Sequence, residues 1–209
     1  MRHTINATKW FKSTPSKAVM YTVLGAWAIF MTLICTIMMG KHSIPLPMPE
    51  LSSEEVAHAL GEHREEMQEP TWMMTHVFLS TCPCSKRLAD YLVDKARPSH
   101  VEEHIILIGD DPQWRKQATA KGFKVHVVTH EELDQHYHIK AAPLLIIMDE
   151  NDKIMYSGGY TSRKQGLDIQ DISILSQLQT DDSAMHALPL FGCAVSRQLQ
   201  KTVDPTGLF

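Results

Sequence analysis

Apolar positions along this chain switch repeatedly between two spacings. Val77-Phe78-Leu79 has the β-branched and aromatic character of a buried strand. Directly after it, Leu88, Ala89, Tyr91, Leu92 and Val93 recur at helical spacing, with Lys86, Arg87, Asp90 and Asp94 on the other face. The alternation then repeats. Residues 101–108 predict a second strand, whose Ile105-Ile106-Leu107-Ile108 end should be buried on both faces like a central parallel strand. Asp110-Asp111-Pro112 caps a helix to about Lys121, residues 123–128 predict a third strand, and residues 131–137 a short helix. Ala141 to Met148 reads as a further strand, turning through Asp149-Glu150-Asn151-Asp152 into Lys153-Ile154-Met155-Tyr156 and closing with Ser157-Gly158-Gly159. Ile169, Ile172, Leu175 and Leu178 place a last helix over residues 168–178, covering one sheet face. Strands alternating with helices imply an α/β fold with a mixed, mainly parallel sheet and an antiparallel hairpin at its end.

The first part of the chain follows another pattern. Ala18 to Met39 runs 22 residues without a charge, enough to span the roughly 30 Å hydrocarbon core as a helix. Arg2, Lys9, Lys12 and Lys17 precede it without any acid, which predicts a cytoplasmic N-terminus and an exported remainder. A cleaved signal peptide would have a shorter apolar region and a small-x-small site, and none stands near Met38-Met39-Gly40-Lys41, so a retained anchor is expected. Cys35 within the span reads as a small apolar filler. Ile44-Pro45-Leu46-Pro47-Met48-Pro49 reads as a stiff extended spacer. Ser52-Ser53-Glu54-Glu55 then opens a capped helix to about Gln68, with Leu51 and Val56 as a hydrophobic staple and Val56, Ala59, Leu60 and Met67 as its apolar stripe. His58 and His63 on it are expected to be solvated, as are His100, His104 and the pair Glu102-Glu103.

Composition adds little until the cysteines are placed. The chain has 209 residues, a net charge of −4 and 44% hydrophobic residues, enough for one cored domain with extra segments. That mild charge, with no basic stripe, speaks against nucleic acid as a partner. Three of its four cysteines (Cys82, Cys84, Cys193) follow the apolar span. In an oxidising compartment thiols pair, and an odd number points to exchange between partners or to a reactive thiol. Cys82-Pro83-Cys84 lies between the first strand and its helix, with Pro83 suited to the first helical position. That puts Cys82 at the cap, where unpaired N–H groups and the helix dipole favour the thiolate, with a pKa below the roughly 8.5 of a free cysteine. Cys84, inside the first turn, is expected to be the more enclosed. Side chains two apart diverge on a helix, so a Cys82–Cys84 disulfide requires Cys82 to lie outside it, and a ring that small is labile rather than structural.

With Ala141-Ala142-Pro143-Leu144-Leu145-Ile146-Ile147-Met148-Asp149, the strand–cysteine–helix stretch resembles the thioredoxin superfamily over about residues 71–180, and within it membrane-anchored periplasmic thioredoxin-like proteins. One departure is the C-x-C in place of C-x-x-C, with Thr81 where a tryptophan often stands. The resemblance implies a thioredoxin-like three-layer sandwich behind one transmembrane helix. It also implies that Pro143 is cis, packs against the cysteines and helps form a substrate groove. The expected organisation is a cytoplasmic segment (1–17), a transmembrane helix (18–39), a linker with an amphipathic helix (40–69), the thioredoxin-like domain (70–180) and an extension carrying Cys193 (181–209). The expected activity is thiol–disulfide exchange on exported proteins, from the bacterial inner membrane into the periplasm and without a cofactor. Cys82 attacks, Cys84 or Cys193 resolves, and Lys86 and Arg87 add positive potential.

Two other readings stand beside it. Two thiolates, twelve methionines and twelve histidines suit a soft metal, copper above all, with His136 and His138 as the candidate imidazoles. A thioredoxin-like scaffold that only binds a partner is the other. Ala187-Leu188-Pro189-Leu190-Phe191-Gly192-Cys193-Ala194-Val195 is apolar enough to pack down, and its Gly192-Cys193 step leaves room for a close approach of backbone or sulfur.

Overall fold

The computed structural model describes residues 16–42, 45–50, 52–64, 71–164, 166–180 and 186–203. The basic flank before residue 16, the Leu51 staple, the helix end at Met67 and Gln68, and the last residues of the extension lie outside them. The chain divides into two compact units, Met1–Ser43 and Ile44–Phe209.

Among the described residues the first unit holds one helix, α1 (Lys17–His42). Its stretch Lys17–Ile37 has a mean hydropathy of 2.0 and no buried residue, so length and composition suit a membrane crossing or an export signal. Thr22, Thr32 and Thr36 each return their hydroxyl to the carbonyl four residues back at 2.8 Å, so an apolar helix carries them without exposing a donor. Cys35 is exposed on this helix as a free thiol.

The second unit begins with the proline-rich stretch, which is extended as expected. It is not a spacer clear of the domain: Leu46 forms a β-bridge with Leu190, and Leu46 and Met48 pack on the core. Next comes α2 (Glu54–Gly61), capped by Ser53, whose side chain accepts from the Val56 N–H. Val56, Ala59 and Leu60 on it are at most 2% exposed, so α2 belongs to the core.

The chain then runs through β1 (Met73–Leu79), α3 (Pro83–Asp94), β2 (Glu102–Ile108), α4 (Pro112–Ala120), β3 (Lys124–Val128) and α5 (His130–Gln135). There follow β4 (Ala141–Ala142), β5 (Leu144–Met148), β6 (Ile154–Gly158), α6 (Asp171–Thr180), β7 (Cys193–Ala194) and α7 (Arg197–Val203). Five strands form the main sheet in the order β3-β2-β1-β5-β6. β1 pairs parallel with β2 and β2 with β3, while β5 runs antiparallel to both β1 and β6. This is the expected α/β sandwich, with helices on both faces of a mixed sheet.

Period-two alternation assigns the two faces. Val77, Leu79, Ile106, Ile108, Leu144 and Ile146 meet α2, α5 and the C-terminal segment. Met74, Phe78, Ile105, Leu107, Leu145 and Ile147 meet α3, α4 and α6.

Two expectations of solvated charge fail, for one reason: partners arrive from elsewhere in the chain. Glu102, Glu103 and His104 are buried at the start of β2. Arg97, its side chain 9% exposed, bonds Glu103 and also Asp171 of α6, both at 2.6 Å. Burial first, with the charge of Asp171, lifts the Glu103 carboxyl above its ordinary value, against the pull of Arg97. Burial also opposes the Arg97 charge, but the hydrogen bonds and charges of Glu103 and Asp171 hold its pKa above the usual value. His104 Nε2 lies 2.9 Å from Glu102, and its Nδ1 lies 3.0 Å from His126. His63 stacks on His126, ring centroids 3.9 Å apart, with its Nε2 2.6 Å from the Tyr137 hydroxyl. His58 is exposed, as expected.

Candidate active site

Sulfur chemistry is placed where β1 ends and α3 begins. The Cys82 N–H donates to the Leu79 carbonyl at 3.0 Å, and the Ser85 hydroxyl accepts from the Leu79 N–H at 3.1 Å, so the chain reverses tightly between strand and helix. Pro83 occupies the first helical turn, and Cys82 is the N-cap with extended backbone (φ −87°, ψ 121°) and no capping hydrogen bond from its side chain. Its sulfur therefore stands at the positive end of a twelve-residue helix without being committed to capping it.

Cys82 is bonded to Cys193, with Cα atoms 6.5 Å apart across a sequence separation of 111. Cys84 is a free thiol in the first turn. Their enclosure reverses the sequence expectation: Cys82 is 2% exposed and Cys84 only half-buried. Cys82 is covered because the C-terminal segment lies on it, whereas Cys84 faces a small cleft lined also by Arg87, Pro143, Tyr160 and Phe191.

The Ala142–Pro143 bond is cis, and its strand is what carries Cys193 to Cys82. β7 pairs antiparallel with β4, Cys193 opposite Ala142 and Ala194 opposite Ala141. Val195 and Ser196 donate their N–H groups to the Lys140 carbonyl at 2.7 and 3.1 Å. On the other side, Gly159 N–H donates to the Leu188 carbonyl at 2.9 Å, and Leu46 N–H to the Leu190 carbonyl at 2.8 Å. The Tyr156 hydroxyl donates to the Gly159 carbonyl at 2.6 Å and accepts from the Leu188 N–H at 3.2 Å. Burial pushes that phenol up to about 12, so it stays protonated as a donor. Leu190 and Val195, both 0% exposed, anchor the segment on either side of Gly192-Cys193.

Beneath this surface His76 is fully buried, with its Nδ1 2.9 Å from the Tyr160 hydroxyl, which donates onward to the Leu144 carbonyl at 3.3 Å. Burial first, then the charges of Arg97 and His104, hold His76 well below the ordinary histidine value, so it is neutral.

Of the residues singled out in the sequence, the structure thus gathers Cys82, Cys193 and Pro143 at one point, with Cys84 in the first turn of α3. Lys86 is exposed, and Arg87 lines the Cys84 cleft. His136 and His138 instead face carboxylates, 3.2 Å from Glu62 and 3.7 Å from Glu55. Among the described residues no three His, Cys, Asp or Glu side chains converge to hold a metal ion. Sequence reasoning missed Lys140, Tyr156 and Gly159, which hold the segment that brings Cys193 in. The Gly192-Cys193 step was the visible sign of a close backbone approach.

No family model matches the chain, and no curated protein matches it. Among solved structures it is similar to an uncharacterized conserved protein from Geobacillus kaustophilus, at 20% identity and a TM-score of 0.45, over 74% of this chain and 89% of that one. It is also similar to the thioredoxin domain of a thiol-disulfide oxidoreductase from Bacteroides vulgatus, at 12% identity and a TM-score of 0.37, over 54% and 81% of the two chains. A third similar structure is StoA from Bacillus subtilis, at 18% identity and a TM-score of 0.32, over 43% and 73%.

Proposed function

We propose that this chain is a membrane-anchored thiol–disulfide oxidoreductase whose exported domain exchanges disulfides through Cys82 and closes the cycle with Cys193. The supporting observation is the Cys82–Cys193 bond, made at a helix N-terminus beside Pro143 by a segment paired to the proline strand.

In the reducing direction the Cys82 thiolate attacks one sulfur of a substrate disulfide, forming a mixed disulfide and releasing one substrate thiolate. The Cys193 thiolate then attacks Cys82 Sγ, and the second substrate thiolate leaves. The substrate gains two electrons and the chain becomes the Cys82–Cys193 disulfide. In the oxidising direction a substrate thiolate attacks Cys82 Sγ and Cys193 is the leaving thiolate. Cys84 is spared in both directions, as the half-buried free thiol.

Residues 18–39 anchor the chain in a bacterial inner membrane, with the domain in the periplasm, where protein disulfides and thiols are the substrates. A reporter fused after the C-terminus is expected to be active only in the exported compartment; cytoplasmic activity reverses the topology. For the chemistry, reduced chain is mixed with a disulfide-bonded protein and the cysteines are mapped by mass. Cys82→Ser is expected to abolish exchange, and exchange that persists in that variant overturns the reading.

A further inference from the structure

The segment that delivers Cys193 shows what a strand must look like to lie beside Cys82. Its backbone pairs with β4 and with the Lys140 carbonyl, contacts indifferent to side-chain identity. One position is not indifferent. A Cβ on Gly192 would stand 2.7 Å from the Ala142 carbonyl carbon, and nearer still to the Ala142 oxygen and Pro143 Cδ. Those are backbone and ring atoms of the proline strand, so no flexible side chain can yield. Gly192 has no positive φ to explain its choice; the close approach does. On either side, the positions three before and two after the cysteine are Leu190 and Val195, both fully buried.

We propose that the strand seat on β4 takes only extended polypeptide segments in which glycine immediately precedes the reactive cysteine, and that the chain's own residues 188–196 hold the seat until such a strand displaces them. This rests on the reading of Cys82 as the exchanging thiol, and it names the substrate class of that site. The incoming ligand is a protein cysteine, as thiol or as disulfide, within a Gly-Cys step flanked by apolar residues. Its exchange with Cys82 follows the balanced steps above, with no further oxidant or reductant. Small disulfides do not pair with β4 and escape the glycine rule. The resident segment competes as a tethered strand, at an effective concentration on the order of millimolar. Cys82 is 2% exposed while that segment is seated, so displacement precedes exchange.

The test uses the full chain in detergent as Gly192→Ala/Cys193→Ser, which unseats the resident strand and removes its sulfur. Three probes carry a thionitrobenzoate mixed disulfide: the peptide Leu-Phe-Gly-Cys-Ala-Val, its Leu-Phe-Ala-Cys-Ala-Val analogue, and cysteine alone. Chromophore release is followed and the adduct is mapped by mass. The glycine peptide is expected to modify Cys82 at least ~10-fold faster than the alanine analogue, the discrimination one surplus methyl gives in a packed seat. Equal rates for the two peptides, with cysteine alone reacting at Cys82, overturn the glycine rule and leave the exchange reading standing. If cysteine alone also fails at Cys82, the exchange reading falls and takes the rule with it. The reduced wild-type chain is expected to rank the two peptides in the same order. In a glutathione redox buffer, the single variant Gly192→Ala is expected to form Cys82–Cys193 with an equilibrium constant at least ~10-fold below wild type; an unchanged constant overturns the proposal.

Discussion

Opening the Cys82–Cys193 bond should cost the domain a large part of its stability, by an amount that follows from chain length. The two residues are 111 apart, so the bond closes a long loop in the unfolded chain. Chain-entropy reasoning gives a loss of about 16 cal/mol/K for such a loop, or about 5 kcal/mol near 25 °C. Disulfides commonly deliver less than this ceiling, so Cys193→Ser is expected to lower the unfolding free energy by ~2–5 kcal/mol. Folded-state contacts change little, because Leu190 and Val195 stay buried and the backbone bonds to Lys140 and Gly159 do not involve the sulfur. The effect therefore lies in the unfolded ensemble and should raise the denaturant m-value as well. Urea unfolding of the oxidised wild type, of the dithiothreitol-treated wild type and of Cys193→Ser tests this. The last two should agree with each other, while Cys84→Ser should stay within ~1 kcal/mol of the oxidised wild type, as expected away from such a feature. Cys193→Ser within ~0.5 kcal/mol of oxidised wild type, at an unchanged m-value, would refute the reasoning. By linkage, whatever the bond adds to the fold the fold adds to the bond, so the same variants should shift the glutathione equilibrium in proportion.

Three further outcomes are expected. Arg97→Ala leaves the Glu103 and Asp171 carboxylates buried without their cation; it should destabilise the domain by ~3–5 kcal/mol, read from urea midpoints. Burial, then mutual repulsion and Lys124, lowers His126 to about 4, and burial first also lowers His63 and His104 from the ordinary 6.5. The unfolded chain then takes up protons first as pH falls, so stability should be full above 6.5 and decline towards pH 4. His126→Gln should flatten that decline, and a wild-type profile level between pH 7 and 4 would contradict the cluster's role. Leu60→Ala, cutting a side chain 1% exposed on α2, should cost ~2–5 kcal/mol in the same urea assay if that helix belongs to the core.

Legibility followed the range of the interactions. Val77-Phe78-Leu79 running into Cys82-Pro83-Cys84 announces strand, turn and helix because each signal is local, and so does the apolar run from Leu144 to Met148. Glu102, Glu103 and His104 misled for the opposite reason. Their burial depends on Arg97, Lys124, His126 and Asp171, which no window of ten residues contains together. His63 looks solvated in the sequence because its ring partners, His126 and Tyr137, come from β3 and the end of α5. The site divides in the same way. Cys82 at the cap, Cys84 in the first turn and the proline strand were all visible. Which cysteine closes on Cys82 was not, since that depends on where a segment 111 residues downstream is seated. Its only traces were the apolar flanks Leu190 and Val195 and the bare Gly192 between them.

Trapping the exchange intermediate tests the central claim most directly. Reduced Cys84→Ser and Cys193→Ser chains are each mixed with a disulfide-bonded protein, quenched with acid and alkylated, and the mixed disulfides are located by mass. If Cys193 resolves, Cys193→Ser accumulates a mixed disulfide at Cys82, while Cys84→Ser turns over and returns as Cys82–Cys193. A trapped species in Cys84→Ser, with Cys193→Ser turning over freely, would contradict it.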